Sequence, residues 1–199
     1  PPRSTLFPYT TLFRSVILVG SVGVGKTSII NSYFESGVNK NEIPTVAPAS
    51  CNFTVTLDDG VNVNLQVWDT AGQEKYQSIS QMFYRDSKVV IVCYTYDEEN
   101  SINQWIERVR SQVPDCNVIL VTTKADLLTQ KQQTEIIERG NEYVEKYRCS
   151  AHLISSAKTE FGIKEIFQEA AKFYDDSAVQ VTSVKVNETR NGRKKCCKS

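Results

Sequence analysis

The chain has 199 residues, with 23 basic and 23 acidic side chains and a formal net charge of zero. When Arg3 and Arg14 in the N-terminal segment are set aside, 21 basic residues face 23 acidic ones. This balance argues against nucleic acid as the main partner. No apolar run approaches the roughly 20 residues of a membrane-spanning helix. Among the six cysteines only Cys196 and Cys197 are adjacent, which is neither a disulfide framework nor a zinc spacing and indicates a reducing, cytosolic compartment.

The first 15 residues do not resemble the start of a domain. They contain no initiator methionine, no acidic residue and no basic stretch followed by an unbroken apolar run, so we expect no signal peptide. Residues 5–15 match the translation of a common sequencing-library adapter. We therefore interpret residues 1–15 as an adapter-derived artefact that is not native, and exclude them from the predicted fold. The alternative is a natural disordered extension.

An apolar run at residues 16–19 predicts a buried strand, and a glycine-rich loop that matches G-x-x-x-x-G-K-[ST] follows it directly. The predicted site comprises Gly20, Ser21, Val22, Gly23, Val24, Gly25, Lys26, Thr27 and Ser28, the last of which begins a helical pattern. The glycines let backbone N–H groups approach phosphate oxygens, and the helix N-terminus adds about half a positive charge. We expect Lys26 to reach the β- and γ-phosphates and Thr27 to place its hydroxyl on Mg²⁺.

The later elements alternate between strands and helices. The predicted elements are a helix over 27–35, a polar stretch over 36–48, strands over 52–57 and 61–68, a loop with a short helix over 70–84, a strand over 89–94, a helix over 101–113, a strand over 118–122, a helix over 134–147, a strand over 152–155 and a helix over 162–174.

Two features of this pattern predict the fold class. The Asp-Asp-Gly turn at residues 58–60 predicts a hairpin, whereas the strands at 89–92 and 118–121 are apolar on both faces, as a parallel sheet between helices requires. We therefore predict an α/β domain over residues 16–174, with a six-stranded, mostly parallel sheet, one antiparallel hairpin partner and helices on both faces. Ligands are expected at the carboxyl ends of the strands.

A second motif, Trp-Asp-Thr-Ala-Gly-Gln-Glu, occupies residues 68–74 at the end of the third predicted strand. Asp69 can hold Mg²⁺ through water, Gly72 can offer its backbone N–H to a γ-phosphate, and Gln73 can orient an attacking water. The phosphate loop alone fits ATPases, kinases and GTPases equally, so the distinction depends on the motifs that follow.

These motifs resemble those of the Ras-superfamily small GTPases, and residues 68–74 are most similar to the Rab branch. The resemblance covers residues 16–199 and implies a P-loop NTPase G domain that binds GTP or GDP with Mg²⁺. It implies that Thr123, Lys124 and Asp126 contact the base. The Asp126 carboxylate can accept hydrogen bonds from N1–H and the 2-amino group of guanine, which adenine cannot supply.

Two further motifs are implied by the same resemblance. Ser156, Ala157 and Lys158 form the last motif, with the Ala157 N–H directed at the guanine oxygen. Thr45 completes the Mg²⁺ shell and contacts the γ-phosphate. Loss of that phosphate would release Thr45 and Gly72, so that both loops relax as a switch.

Several positions depart from the family pattern, and three of them bear on function. Val22 stands near the γ-phosphate, where an apolar branched side chain can displace the attacking water or a partner's arginine, so we expect slow hydrolysis. Alternatively, Val22 packs against the loop of Gln73. Val38 replaces an aromatic residue against the guanine edge and is expected to loosen nucleotide packing. Ser50 replaces an aromatic residue of the Rab effector surface, so no effector is inferred.

The tail over residues 175–199 has no apolar periodicity and is predicted to be a flexible linker. Cys196 and Cys197 near its end resemble the double geranylgeranylation site of Rabs, and nearby cations would strengthen membrane attachment. The alternative is a solvated basic tail with incidental cysteines.

The resemblance implies a prenylated GTP/GDP switch in vesicle trafficking, similar to the endosomal Rabs. It would be a monomer on the cytoplasmic face of endomembranes that cycles with the cytosol and hydrolyses GTP slowly. Implied partners are an exchange factor, a GTPase-activating protein, a prenylation escort, a membrane-extraction carrier and effectors. One alternative is a GTP-bound scaffold with little or no hydrolysis. An ATP-dependent P-loop kinase is disfavoured by Asp126 and by residues 156–158.

Overall fold

The computed structural model describes residues 13–34, 49–70, 84 and 87–174. Six strands lie in one sheet: β1 (Arg14–Val19), β2 (Ala49–Thr56), β3 (Asn62–Asp69), β4 (Ser87–Tyr94), β5 (Asn117–Thr122) and β6 (Ala151–Ile154). Within these described residues, four α-helices accompany the strands: α1 (Lys26–Phe34), α2 (Ser101–Gln112), α3 (Gln130–Tyr147) and α4 (Ile163–Lys172). Short 3₁₀ turns occupy Tyr96–Glu98 and Ala125–Leu127.

The strand order is β2-β3-β1-β4-β5-β6, and only the β2–β3 pair is antiparallel. The predicted six-stranded, mostly parallel sheet with one hairpin is therefore confirmed. The hairpin turn places Gly60 at a φ of +84°, and Leu57 N–H donates to Val61 O at 2.8 Å. A residue with a Cβ is strained at that φ, so the Asp-Gly turn fits its position.

The core has two layers, one on each face of the sheet. Helices α1 and α4 pack on one face through residues such as Ile29 and Phe167, and α2 and α3 pack on the other through Ile106 and Ile136. Residues 16–19 of β1 alternate between the two layers and are fully buried. This double burial explains why the strand is a continuous apolar run rather than an alternating one.

Strand β1 begins two residues before the predicted start at Val16. Arg14 and Ser15 pair with Leu65 and Gln66 of β3, and Tyr174 O–H donates to Ser15 O at 2.7 Å. The Arg14 guanidinium lies 5.1 Å from the centre of the Tyr174 ring. The last two residues of the predicted artefact are thus part of the sheet, because their backbone continues the parallel pairing whatever their origin.

Helix α3 begins at Gln130, four residues before the prediction. Thr129 is its N-cap, and a capping box joins its side chain to Gln132 N–H and its own N–H to the Gln132 side chain. These reciprocal hydrogen bonds satisfy donors that are otherwise exposed at a helix start. The first turn is polar, so the apolar periodicity used for the prediction did not reach it. Strand β2 likewise starts at Ala49 rather than 52, because its pairing with β3 extends to Asp69.

Candidate functional site

The glycine-rich loop leaves β1 at the carboxyl edge of the sheet. Gly20 has a φ of +143°, and a Cβ there would overlap the carbonyl oxygen of Cys93 at the end of β4. Glycine is therefore required by both backbone conformation and space. Below the loop, burial raises the pKa of the Cys93 thiol to about 12, so this group is a neutral packing element at pH 7.

Lys26 lies across the loop that precedes it. Its Nζ donates to Gly20 O and Ser21 O, both at 2.8 Å, and the residue is only 5% exposed. Burial lowers the pKa of Lys26, and the carboxylate of Asp69 opposes this effect. The neutral Cys93 thiol adds no charge. A buried ammonium group beside a loop of backbone N–H groups is suited to phosphate oxygens.

Two motifs that are far apart in sequence meet at Thr27 and Asp69. Thr27 Oγ1 donates to Asp69 Oδ2 at 2.6 Å, and Asp69 is 5% exposed. The next residue, Thr70, donates from Oγ1 to Leu18 O at 2.6 Å, which holds the end of β3 against β1. A hydroxyl and a carboxylate at this place form part of the hard-oxygen set that Mg²⁺ prefers. The residues present therefore fit the predicted metal.

Thr123 joins the base-binding loop to the phosphate-binding loop. Its Oγ1 donates to Val24 O at 2.6 Å and lies 3.2 Å from Tyr94 O, and its N–H donates to Tyr94 O at 2.9 Å. The residue is 3% exposed. Lys124 follows in the left-handed region with a φ of +57°, which turns the chain out of β5.

The last two predicted motifs also meet. Ser156 Oγ donates to Asp126 Oδ1 at 2.6 Å, and Lys158 Nζ lies 3.7 Å from Asp126 Oδ2. Ser32 Oγ of α1 donates to Ala157 O at 3.0 Å, so the helix behind the phosphate loop also holds the base-side loop. The Asp126 carboxylate is thus oriented by a neighbouring hydroxyl, as a hydrogen-bond acceptor for a base should be.

These motifs surround one open pocket with a volume of about 190 Å³. Its lining combines the phosphate loop, α1 and both base-side loops, and consists of Val24, Gly25, Ser28, Ile29, Thr123, Lys124, Asp126, Leu127, Ala157 and Lys158. The pocket therefore lies at the carboxyl ends of β1, β5 and β6, where a parallel sheet is expected to bind ligands.

Within the described residues, the structure brings the predicted phosphate, metal and base residues to one edge. Val22 is 45% exposed, so its apolar side chain is open to solvent. Six predicted residues lie outside the described residues: Val38, Thr45, Gly72, Gln73, Cys196 and Cys197. Their roles, and the alternative packing of Val22 against Gln73, remain predictions.

Several residues that support the site were not predicted. Trp105 of α2 directs Nε1 at Ser21 Oγ over 3.5 Å, and Gln133 of α3 donates from Nε2 to Ala125 O at 3.2 Å. Ser32, which contacts the Ala157 loop, also belongs to this group. These contacts cross between elements, so no local pattern indicates them. The exception is α3 itself, whose Thr-x-x-Gln start was visible in the sequence and would have placed Gln133 on a helix.

A model of the Ras family matches residues 15–175 of the chain, which is most of its length. The chain belongs to the Ras family of small GTPases. This Ras-family protein is 32% identical to the Ras-related protein RabC of Dictyostelium discoideum, over 94% of this chain and 98% of the relative. It is 31% identical to the GTP-binding protein ypt5 of Schizosaccharomyces pombe, over 81% of this chain and 78% of the relative.

A third relative is named after a different branch of small GTPases. The GTP-binding protein rho3 of Schizosaccharomyces pombe is 31% identical, over 81% of this chain and 82% of that protein. Similar identity to Rab-, Ypt- and Rho-named relatives supports a GTP-binding switch and the general reaction of GTP hydrolysis. In the part of the chain that the structure describes, no helix combines the length and apolarity needed to cross a bilayer.

Proposed function

We propose that this Ras-family chain is a Rab-like molecular switch that binds GTP and GDP with Mg²⁺ and hydrolyses GTP slowly. The observation that carries the proposal is a pocket that the phosphate loop and both base-side loops line together. The hydrogen bond from Thr123 to Val24 links these loops directly. A ligand with a phosphate chain at one end and a base at the other matches this arrangement.

Guanine is the base that the polar groups favour. The Asp126 carboxylate is held by Ser156 and can accept from N1–H and the 2-amino group of guanine. Adenine has no donors at those positions, so a bound adenine would cover the carboxylate without pairing it, at a cost of about 1–3 kcal/mol for each missing hydrogen bond. Lys124 would lie along the base, and Ala157 would offer its N–H to the guanine oxygen. Val38 lies near the base in this proposal and would pack it loosely.

The phosphates and the metal would be held at the other end of the pocket. Residues 20–25 would supply backbone N–H groups, Lys26 would contact the β- and γ-phosphates, and Thr27 with Asp69 would hold Mg²⁺. Bound Mg²⁺ neutralises charge that develops on the phosphate oxygens. Thr45 and Gly72 are proposed to contact the γ-phosphate, so that the GTP and GDP states differ in these two loops.

Hydrolysis is assigned to Gln73, which would orient the attacking water. We expect an unaided rate on the order of 10⁻⁴ s⁻¹, as is usual for switches of this class. The exposure of Val22 supports slow turnover, because an apolar side chain at the mouth of the loop can exclude the water or an activating arginine. The second candidate is a scaffold that stays bound to GTP, which the same Val22 side chain favours.

Membrane attachment and trafficking belong to the same proposal. The adjacent Cys196 and Cys197 would carry two prenyl groups, and the cations of residues 190–195 would add attraction to acidic lipids. The Rab- and Ypt-named relatives support the cytoplasmic face of endomembranes, and the switch sequence at residues 74–79 favours an endosomal site. The partners would be an exchange factor, a GTPase-activating protein, a prenylation escort, an extraction carrier and effectors.

The test is the nucleotide that accompanies the purified full-length chain. We expect GDP or GTP at about one equivalent, and GTP should decay to GDP over hours when Mg²⁺ is present. Bound ATP, or no nucleotide and no binding of added GDP, would contradict the switch. GTP that persists unchanged, also after a GTPase-activating protein is added, would favour the scaffold.

A further inference from the structure

The only histidine of the chain occupies a buried polar cluster beneath the base-binding loop. His152 of β6 directs Nε2 toward Thr122 Oγ1 of β5 at 2.9 Å and Tyr94 O–H of β4 at 3.1 Å. Thr122 and Tyr94 are fully buried. We call these three residues the His152 cluster. It connects three neighbouring strands through side chains, in addition to their backbone pairing.

Helix α3 is shaped to admit the histidine ring. Gly140 lies in the middle of this helix, and a Cβ at that position would overlap the ring atoms of His152. Glycine within a helix costs about 1 kcal/mol relative to alanine. The ring can therefore occupy this position only because residue 140, 12 positions earlier in the sequence, is a glycine without a Cβ.

The cluster is directly connected to the residues that contact the base. Tyr94 O accepts the hydrogen bond from Thr123 N–H at 2.9 Å, and Thr122 O accepts from Ser155 N–H at 2.8 Å. Ser155 O in turn accepts from Ala125 N–H at 3.0 Å. The first bond fixes Thr123, and the other two fix the residue that precedes Asp126 and the residue that precedes Ser156. A shift of Tyr94 or Thr122 would therefore move both partners of the Asp126–Ser156 hydrogen bond.

We propose that His152 is a positioning residue for guanine recognition, acting through Thr122 and Tyr94 on the loops of Asp126 and Ser156. The inference rests on the proposed guanine-nucleotide function and adds a residue that does not touch the ligand. The alternative is a histidine that only stabilises the core. A purely structural role predicts altered stability with unchanged base selectivity, whereas a positioning role predicts altered selectivity.

The experiment measures dissociation of ribose-labelled fluorescent GDP and of the same derivative of inosine diphosphate, which lacks the 2-amino group. Wild-type protein should release the inosine nucleotide about tenfold faster, since one hydrogen bond to a charged acceptor is lost. Thr122→Val removes only the hydroxyl, and Gly140→Ala displaces the ring. Each should reduce the ratio of the two rates by about threefold or more.

Two further variants control the result. Asn141→Ala changes an exposed neighbour of Gly140 on the same helix and should leave the ratio unchanged. The double variant Gly140→Ala with His152→Ala removes the overlap, and it should recover the folding stability lost in Gly140→Ala but not the selectivity. If Thr122→Val and Gly140→Ala keep the wild-type ratio at reduced melting temperatures, the positioning role is overturned and the proposed function stands. Wild-type protein that binds neither nucleotide would overturn both.

Discussion

Thr27 Oγ1 and Asp69 Oδ2 lie 2.6 Å apart, although 42 residues separate them in the sequence. The contact joins the first residues of α1 to the end of β3, and therefore links the helix behind the phosphate loop to the strand that ends at Asp69. In the proposed function the same two side chains hold Mg²⁺, directly from the hydroxyl and through water from the carboxylate.

The first prediction concerns this pair. Asp69→Asn keeps the shape of the side chain but removes its charge, so Mg²⁺ should bind about 10–100-fold more weakly. The rate of GDP release is measured at increasing Mg²⁺ concentrations until it no longer falls. The variant should need correspondingly more Mg²⁺ than the wild type to reach this lowest rate. Asp97→Asn, which changes an exposed carboxylate, is the matched control. An identical Mg²⁺ dependence in Asp69→Asn and the wild type would contradict the assignment.

The second prediction concerns base selectivity. Asp126→Asn places an amide N–H where the guanine donors would lie, so GDP affinity should fall about 100-fold. Xanthosine diphosphate has an acceptor oxygen in place of the 2-amino group, and its affinity should rise in the same variant. Competition against a fluorescent nucleotide measures both. Glu160→Gln changes an exposed carboxylate of the adjoining loop and should have no effect.

The third prediction concerns Val22, which is 45% exposed at the mouth of the phosphate loop. Val22→Gly should raise the single-turnover rate of GTP hydrolysis about tenfold, with or without an activating protein, because water gains access to the γ-phosphate. GDP dissociation serves as the control, since it should change little if the loop remains folded. Equal hydrolysis rates in the variant and the wild type, under both conditions, would remove Val22 as the cause of slow turnover.

The fourth prediction concerns the pH dependence of stability. Burial lowers the pKa of His152 to about 4 from an ordinary value of 6.5. The unfolded chain therefore binds the proton first as pH falls. The histidine contribution to stability is constant above pH 6.5 and is lost progressively between pH 6.5 and 4, by about 2–3 kcal/mol. The groups around it are the hydroxyls of Tyr94 and Thr122.

The measurement is the free energy of unfolding in urea at pH 7.5 and pH 4.5, for the wild type and for His152→Gln. Glutamine does not titrate, so the difference between the two proteins should shift in favour of the variant at the lower pH. The Glu99–Arg139 ion pair, at 3.0 Å, lies near Tyr94 and is present in both proteins. A pH-independent difference would show that His152 titrates normally in the folded state.

The fifth prediction tests whether residues 14 and 15 belong to the folded domain. Removing residues 1–15 should lower the free energy of unfolding by about 1–2 kcal/mol more than removing residues 1–12, because the Tyr174 contacts are then lost. Tyr174→Phe should cost about 1 kcal/mol, because the hydrogen bond to Ser15 O is lost. Urea unfolding of all three variants provides the comparison. Equal stability of the two truncated chains would exclude Arg14 and Ser15 from the fold.

The sequence predicted the sheet well because its strands carry local, repeated patterns, and the motifs of the predicted site are equally local. Doubly apolar strands are specific to buried parallel sheets, and the phosphate loop requires glycines at fixed spacing. Thr27 lies beside Asp69 because β1 and β3 are neighbours in the sheet. Asp126 lies beside Ser156 because β5 and β6 are neighbours.

Contacts between distant elements could not be predicted in the same way. The His152 cluster joins residues 30 and 58 positions apart, and nothing near Gly140 in the sequence indicates that its missing Cβ makes room for an imidazole. The start of α3 was missed for a different reason, since a capping box carries its signal in polar residues and apolar periodicity does not detect it. The start of β1 was missed because residues 14 and 15 were interpreted as part of the artefact, although their backbone pairs with β3.

The contacts of Tyr174 with Arg14 and Ser15 have a practical consequence for handling the protein. They hold the beginning of β1 beside Tyr174, two residues after the end of α4, at the end of the sheet opposite the nucleotide loops. A fluorophore attached at the exposed position of Phe13 would therefore lie at the end of the sheet that is opposite the pocket. Probes of nucleotide exchange can accordingly be attached at that position without covering the residues that line the pocket.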